Sequence, residues 1–494
     1  MLLPLLIIIP FFGAFLSWQS ERFNVKLPRW IALITMGITL VFILQIWFKE
    51  FYLVTKKTFS LKYWMSEFLV SWIPRFGIDF HLGIDGLSIL MIILTGFLGI
   101  MSILCSWNEI KKHQGLFYFN LVWLLGSVLG IFLAIDLFLF FFFWEMMLVP
   151  MYFLVSLWGY NVKHSQDCVK AANKFFVYTQ ASGLVMLFGI ISLVVTHHYI
   201  TDIWTFNYNV LLNTPMNLEL EFFLMLCFFL AFAVKMPVVP FHNWLPDIHT
   251  YSPTAGSVDL SGILLKTAAY GLLRFSIPLF PHASSIFSIF VMYLGTFSIF
   301  YSAWIAFSQK DIKRLVAYSS ISNMGFILIA IYADNKIAFE GVVVQMLAHG
   351  VSTAALFILI GQLYERLHTR NINKMGGLWS SIKWIPAFSL FFFMANIGIP
   401  GTGNFVGEFM MLIGIFNFSP FFSGMSVLIL IFSAIYSLKI IEHTCYGEVK
   451  NYLKVDSITN REFFIIICLV LVLVLLGFFP QIILDTACLS LYNF

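Results

Sequence analysis

The chain is short of charge. Of its 494 residues only 11% are Asp, Glu, Lys or Arg, against about a quarter in an average soluble domain. No polar segment between its apolar stretches is long enough to fold by itself, so a soluble enzyme is excluded. Cysteine is thin as well. Cys105, Cys168, Cys227, Cys445, Cys468 and Cys488 stand singly, with no CxxC and no His/Cys cluster, which argues against a disulfide framework, a zinc site or an iron–sulfur cluster. There is no Walker loop, no GxGxxG after a strand and no pair of haem ligands on helices of a plausible bundle, so ATP-driven and redox chemistry are not expected in this chain. Its energy must come from elsewhere. The opening MLLPLLIIIPFFGAFLSW has neither a basic n-region nor a small-residue cleavage site and is expected to stay as a first span.

What the chain has in excess is apolar surface: 60% hydrophobic residues, 57 of them Phe, and a mean hydropathy of +0.92. Stretches of about 20 apolar residues predict spans near 2–18, 29–48, 87–106, 116–134, 136–157, 171–197, 219–245, 257–277, 285–307, 312–332, 339–365, 385–416, 423–446 and 462–482. The expected fold is an all-α polytopic membrane protein of about fourteen transmembrane helices, one membrane domain over 1–494. Residues 49–85 mix aromatic, basic and turn residues and are expected to form a small cap. Most of the 28 Lys and Arg residues, among them Arg22, Lys111, Lys112, Lys310, Lys313, Arg314, Arg366 and Arg370, then fall on one face. The other face carries Lys336 and the cap residues Lys49, Lys56, Lys57, Lys62 and Arg75. That asymmetry places both termini outside, on the periplasmic side if the membrane is a bacterial inner membrane.

Two of these spans cannot be unbroken helices. The stretch 219–245 contains Pro237 and Pro240, and 385–416 contains Gly398, Pro400, Gly401 and Gly403 in GIPGTGNF. They are the seventh and twelfth spans, five apart. An odd-numbered repeat inserts upside down relative to its twin, so spans 4–8 and 9–13 are expected to form two inverted five-helix repeats. The chain divides accordingly into 1–115, 116–277, 285–446 and 447–494. The plainer alternative is that Pro and Gly are simply better tolerated in membrane helices.

Charges inside the spans carry the functional reading. Lys235 and Lys266 flank a segment crowded with Pro237, Pro240, Pro246, Pro253, His242 and His249. A lysine ten residues into a span lies about 14 Å deep, where a bare charge costs roughly 3 kcal/mol on insertion scales and more by simulation. Removal from water disfavours the ammonium and a nearby carboxylate favours it, so a buried Lys facing a Glu can load and release a proton. Glu145, in FFFFFWEMMLVP, is the candidate partner of Lys235; the bland reading of Glu145 is an interhelical salt bridge. At 4 Å and an effective dielectric near 20 such a pair is worth about 4 kcal/mol, so small motions would move protons. Lys266 follows Asp259 by seven residues, on one face but too far for a direct bond, and its expected partner is water or His349. A lone helical His is more often a core residue than a relay, but a buried Lys beside it reverses those odds. Glu408 follows the second break as an entry or exit carboxylate. Arg274, Lys439, Glu442 and His443 lie near span ends and are expected to snorkel or cap.

At these residues a resemblance enters. AVKMPVVPFHNWLPDIHTYSPTAGSVDLSGILLKTAAYGLLRF, LVAYSSISNMGF, GQLYERLHTR and GIPGTGNFVGEF resemble the antiporter-like membrane subunits of respiratory complex I, the proton-pumping NADH:quinone oxidoreductase, over most of the chain. The resemblance implies fourteen core helices, two inverted five-helix repeats with helices seven and twelve broken, and proton-transfer roles for Glu145, Lys235, Lys266 and Glu408; beside these, His349, His242, His249 and Asn323 are read as relay or water-ordering groups. It implies no cofactor or metal in this chain, with FMN, iron–sulfur clusters and quinone in other subunits, and as partners the antiporter-like subunits L and N and membrane lipid, but no nucleic acid. A glutamate at 408 differs from the lysine usual in L and N. The family's tenth helix often reads SHMG, where this chain has Asn323. Asparagine orders water but takes up no proton near pH 7. Two other readings stay open: a subunit of a multisubunit sodium/proton antiporter, which shares the Lys/Glu pattern, and a structural spacer.

Overall fold

The computed structural model describes residues 2–56, 64–160, 166–448 and 457–489, and the side chains of these except at 50–56. Lys57, Lys62, Lys163, His164, Lys450 and Lys454 lie outside the described residues. Among the described residues, twelve helices are long and apolar enough to cross a bilayer; the helix satisfies its backbone groups internally while apolar side chains face outwards. They are α1 (Leu2–Ser20), α2 (Leu27–Lys56), α3 (Gly86–Cys105), α4 (Gln114–Leu133), α5 (Leu137–Trp158), α6 (Gln166–Thr201), α8 (Thr254–Leu279), α9 (Pro281–Ser308), α10 (Ile312–Ile331), α11 (Lys336–Leu367), α13 (Pro420–Cys445) and α14 (Asn460–Phe478).

The two broken segments lie where the prolines and glycines place them. The first is α7a (Leu218–Lys235) followed by α7b (Trp244–Tyr251), the second α12a (Ile385–Asn396) followed by α12b (Gly403–Phe418). A short α15 (Gln481–Cys488) follows α14. At the first break the freed backbone groups find new partners: Trp244 Nε1 donates to the Val234 carbonyl at 2.9 Å, and Val239 N donates to Ser298 Oγ at 2.7 Å. At the second, Gly398 and Gly401 take φ of 81° and 94°, conformations that cost glycine little and other residues much. A third interruption, at Met147 within α5, comes three residues before Pro150, whose ring opposes the carbonyl of Met146.

Burial is uneven in a way that positions the site. The most apolar stretch of α11 is entirely buried and those of α8 and α10 are 94% buried, against 33% for α2 and α14. Helices α8 and α11 approach closely because glycines face each other; a Cβ at Gly350 would lie 2.8 Å from the Gly262 carbonyl oxygen. Two stretches of α8, Leu260–Leu264 and Leu272–Ser276, are wound as π-helix, the wider turn often found at functional sites.

The cap contains the strands β1 (Ser66–Ile73) and β2 (Ile78–Ile84), an antiparallel hairpin pairing Ser66 with Ile84 that the all-helical expectation did not include. Its turn needs Gly77 at φ 66°, where any side chain would also meet the Trp204 carbonyl. β2 leads into Asp85, which caps α3 by accepting from Ser88 N at 2.8 Å while Ser88 Oγ accepts from Asp85 N. Here one expectation is overturned. Arg274 does not snorkel: it is 3% exposed, pairs with Asp85 at 3.0 Å, and its guanidinium stacks 3.9 Å from the Trp64 ring centroid. It lies within the second π turn of α8, packed against the hairpin.

Candidate functional site

Lys235 ends α7a, 1% exposed. Its ammonium lies 5.4 Å from the Trp144 ring centroid and 5.3 Å from that of Phe175, near enough for cation–π attraction, and among the described residues it makes no direct hydrogen bond. Glu145, next to Trp144 and just before the break in α5, is half-buried. It forms no ion pair with Lys235 within 4 Å, yet the lysine is the chief charge acting on it, and Gln180 is a second polar neighbour. A Cβ at Gly183 would collide with the carboxylate, so glycine there gives the glutamate its room. The arrangement holds opposite charges close without locking them together.

The centre of the bundle is tighter. Lys266 follows the first π turn of α8, fully buried, and donates to the Ser261 carbonyl at 2.5 Å while its Nζ lies 3.0 Å from His349 Nδ1. Of the two partners expected for Lys266, water or His349, the imidazole is in contact with it. Asp259 makes no bond to Lys266 and faces Ser102 on α3. One turn before His349 on α11, Gln345 Nε2 donates to Glu408 Oε1 at 3.3 Å. Ser352, also on α11, accepts from Asn404 Nδ2 at 3.3 Å, and Asn404 stands one turn before Glu408 on α12b. Glu408 is 3% exposed and packs against Gly398 in the break. A single stripe on α11 thus touches both Lys266 and Glu408, with Gln345 and His349 about 6 Å apart along the helix axis.

The remaining candidates fall into two groups. His249 lies fully buried with its ring stacked 4.4 Å from Phe357, within electrostatic reach of Lys266. Asn323 is 4% exposed on α10. His242 packs its ring against Tyr301 and Tyr318. Sequence reasoning passed over Gln345, although its four-residue spacing from His349 in an apolar span was a readable polar stripe. The sequence places Lys313 among the basic residues of a connection, and the structure buries it to 1%. At the other end of the bundle, the buried His81 ring contacts Asn207 at 3.2 Å, and burial pushes its imidazole down while Glu67 opposes the shift. Among the described residues no three His, Cys, Asp or Glu side chains gather as a metal would require.

Residues 134–480 match the family described as NADH:quinone oxidoreductase/Mrp antiporter, TM. The chain is 60% identical over 490 residues to NADH-quinone oxidoreductase subunit M of Escherichia coli (strain K12), covering 99% of this chain and 96% of that protein. The chain belongs to this family. Subunit M of Pseudomonas aeruginosa is 54% identical over 494 residues, covering 100% and 97%. Among solved structures, respiratory complex I from Thermus thermophilus with bound NADH contains a chain that superposes at a TM-score of 0.85, with 28% identity over 99% of this chain and 100% of that one. The Mrp complex from Dietzia sp. matches equally well in shape, TM-score 0.85, but at 20% identity and over 52% of its chain, which speaks for the fold alone. This antiporter-like chain is accordingly a membrane subunit of an NADH-quinone oxidoreductase, part of a multisubunit membrane complex.

Proposed function

We propose that this chain carries no redox step itself and translocates protons through Glu145, Lys235, Lys266, His349 and Glu408, driven by electron transfer in other subunits, which hold the FMN, iron–sulfur clusters and quinone. Charge arriving from a neighbouring antiporter-like subunit, L or N, shifts the balance of the Glu145–Lys235 pair. The lysine then releases its proton through water towards Lys266. Lys266 hands it to His349, and Glu408 receives it for release. Asn323 and His249 order water along the way. Fourteen crossings with two inverted five-helix repeats, both termini on the periplasmic side of a bacterial inner membrane, complete the reading.

The observation that carries it is the α11 stripe, which puts direct polar contacts on Lys266 and Glu408 from one helix inside a fully buried core. A polar line through the best-packed part of a membrane bundle is costly, and groups kept there at that cost mark transfer paths. The test is proton uptake by the intact complex in proteoliposomes. Lys235→Ala and Glu145→Ala should each abolish or sharply reduce pumping and coupled quinone reduction, and normal proton-to-electron stoichiometry in both rejects the proposal.

A further inference from the structure

Lys313 is the second residue of α10, at the end of a span where a lysine ordinarily reaches out to water. Here it is turned inwards. Its ammonium donates to the Ser252 carbonyl at 2.8 Å and to the Ser257 hydroxyl at 3.2 Å, and it lies 4.8 Å from the Tyr160 ring centroid. No carboxylate pairs with it within 4 Å among the described residues. Arg370, Glu109 and Asp311 act on it from a longer range, and His249 stands within electrostatic reach of both Lys313 and Lys266. Half-buried Glu109 accepts from Tyr160 Oη at 2.5 Å and from Thr254 N at 3.0 Å, so a carboxylate open to the membrane face abuts the ring under which Lys313 lies.

From Lys313 the polar groups run on towards the centre. Ser257 and Ser261 are fully buried one turn apart on α8; Ser261 Oγ donates to the Ser257 carbonyl at 2.9 Å, and Lys266 donates to the Ser261 carbonyl. Two buried ammonium groups from different helices are therefore tied to opposite ends of the same two-serine stretch, about 6 Å along the axis. A lysine serving only as an anchor has no need of this continuity. We infer that Lys313 is the proton-exchange group linking Lys266 to the membrane face that bears Glu109, Asp311 and Arg370. The step balances simply. An N–H bond of the Lys313 ammonium breaks as its proton passes to Ser257 Oγ, whose own hydroxyl proton moves on through water and the Ser261 hydroxyl. A new N–H bond forms on the neutral Lys266 amine, and Lys313 regains a proton from water at the face beside Glu109. Nothing is oxidised or reduced.

This inference rests on the proton-transfer reading above, and its test separates the two. In the intact complex reconstituted in proteoliposomes, with complex content confirmed, pumping and coupled turnover are measured for Lys313→Met, Lys313→Arg and the Ser257→Ala/Ser261→Ala double variant, beside Lys235→Ala. Lys313→Met should lose about tenfold or more in pumping. Lys313→Arg should be no better, because a guanidinium keeps the charge and the anchor but does not give up a proton. The double serine variant, which removes two small hydroxyls, should lose severalfold with assembly intact. A purely structural Lys313 predicts that the Arg variant pumps normally; that outcome, or native pumping by the Met or double serine variants, overturns the inference. Should Lys235→Ala also pump normally, it is the underlying proton reading that fails; loss in Lys235→Ala with normal Lys313 variants removes only this route.

Discussion

The two halves of the polar line are built on opposite principles. Around Lys235 the ammonium faces aromatic rings at more than 5 Å, its carboxylate partner is half-buried, and no hydrogen bond joins them. Around Lys266 and Glu408 every key group is sealed in the core and held by direct bonds from α11. A lysine and a glutamate that face each other without a bond respond to an outside charge because little must be broken to move them. A hydrogen-bonded line inside a close-packed core conducts reproducibly because little in it can move. The first half is suited to sensing and the second to carrying.

The sharpest way to break the contrast is Lys266→Met, which removes the centre of the sealed half. Pumping and coupled quinone reduction by the assembled complex should fall by about a hundredfold, the lower end of what a positioned proton-transfer group contributes; initial rates in proteoliposomes report it. Next comes Arg274→Ala, which leaves Asp85 buried and alone and should cost about 3–5 kcal/mol of stability, visible as lowered thermal stability of the isolated complex and partly restored by adding Asp85→Asn. Gly350→Val forces α8 and α11 apart at the Gly262 contact and should cost about 1–3 kcal/mol, with a fall in coupled turnover that Gly424→Val, where a side chain meets nothing, does not show. Gln345→Leu removes one bond to Glu408 and should slow turnover by no more than about tenfold. Asn323→His should leave pumping within about twofold, since the proposed transfer line runs through His349; a large gain would move Asn323 into that line.

Much of this was legible before any coordinates. Pro237, Pro240 and the GIPGTGNF glycines announce breaks because they deny the helix its hydrogen bonds or its dihedral angles, and the structure breaks there. The lysines and glutamates stood out because charge in an apolar span is expensive. What escaped was direction around the helix axis. Hydropathy places a residue along a span but not on a side of it, so Arg274 and Lys313, both near span ends, were assigned to water when packing turns them inwards. The two π turns of α8 compound this, since they shift the side of every residue that follows. The hairpin escaped because its alternating strands are short and its turn, Pro74–Phe76 with Gly77, sits among basic and aromatic residues that read equally well as a loop.

Helix α8 has a consequence for how this chain can vary. Each residue of a regular helix advances the azimuth by about 100°, and both wide turns lie between Thr254 and Leu279, one just ahead of Lys266 and the other enclosing Arg274. Rewinding either turn to ordinary pitch with all its residues kept would swing all that follows by roughly a quarter revolution. The ammonium would then miss its imidazole, or the guanidinium its carboxylate. Composition along this rod can drift, but a change that tightens either wide turn without shortening it cannot be absorbed.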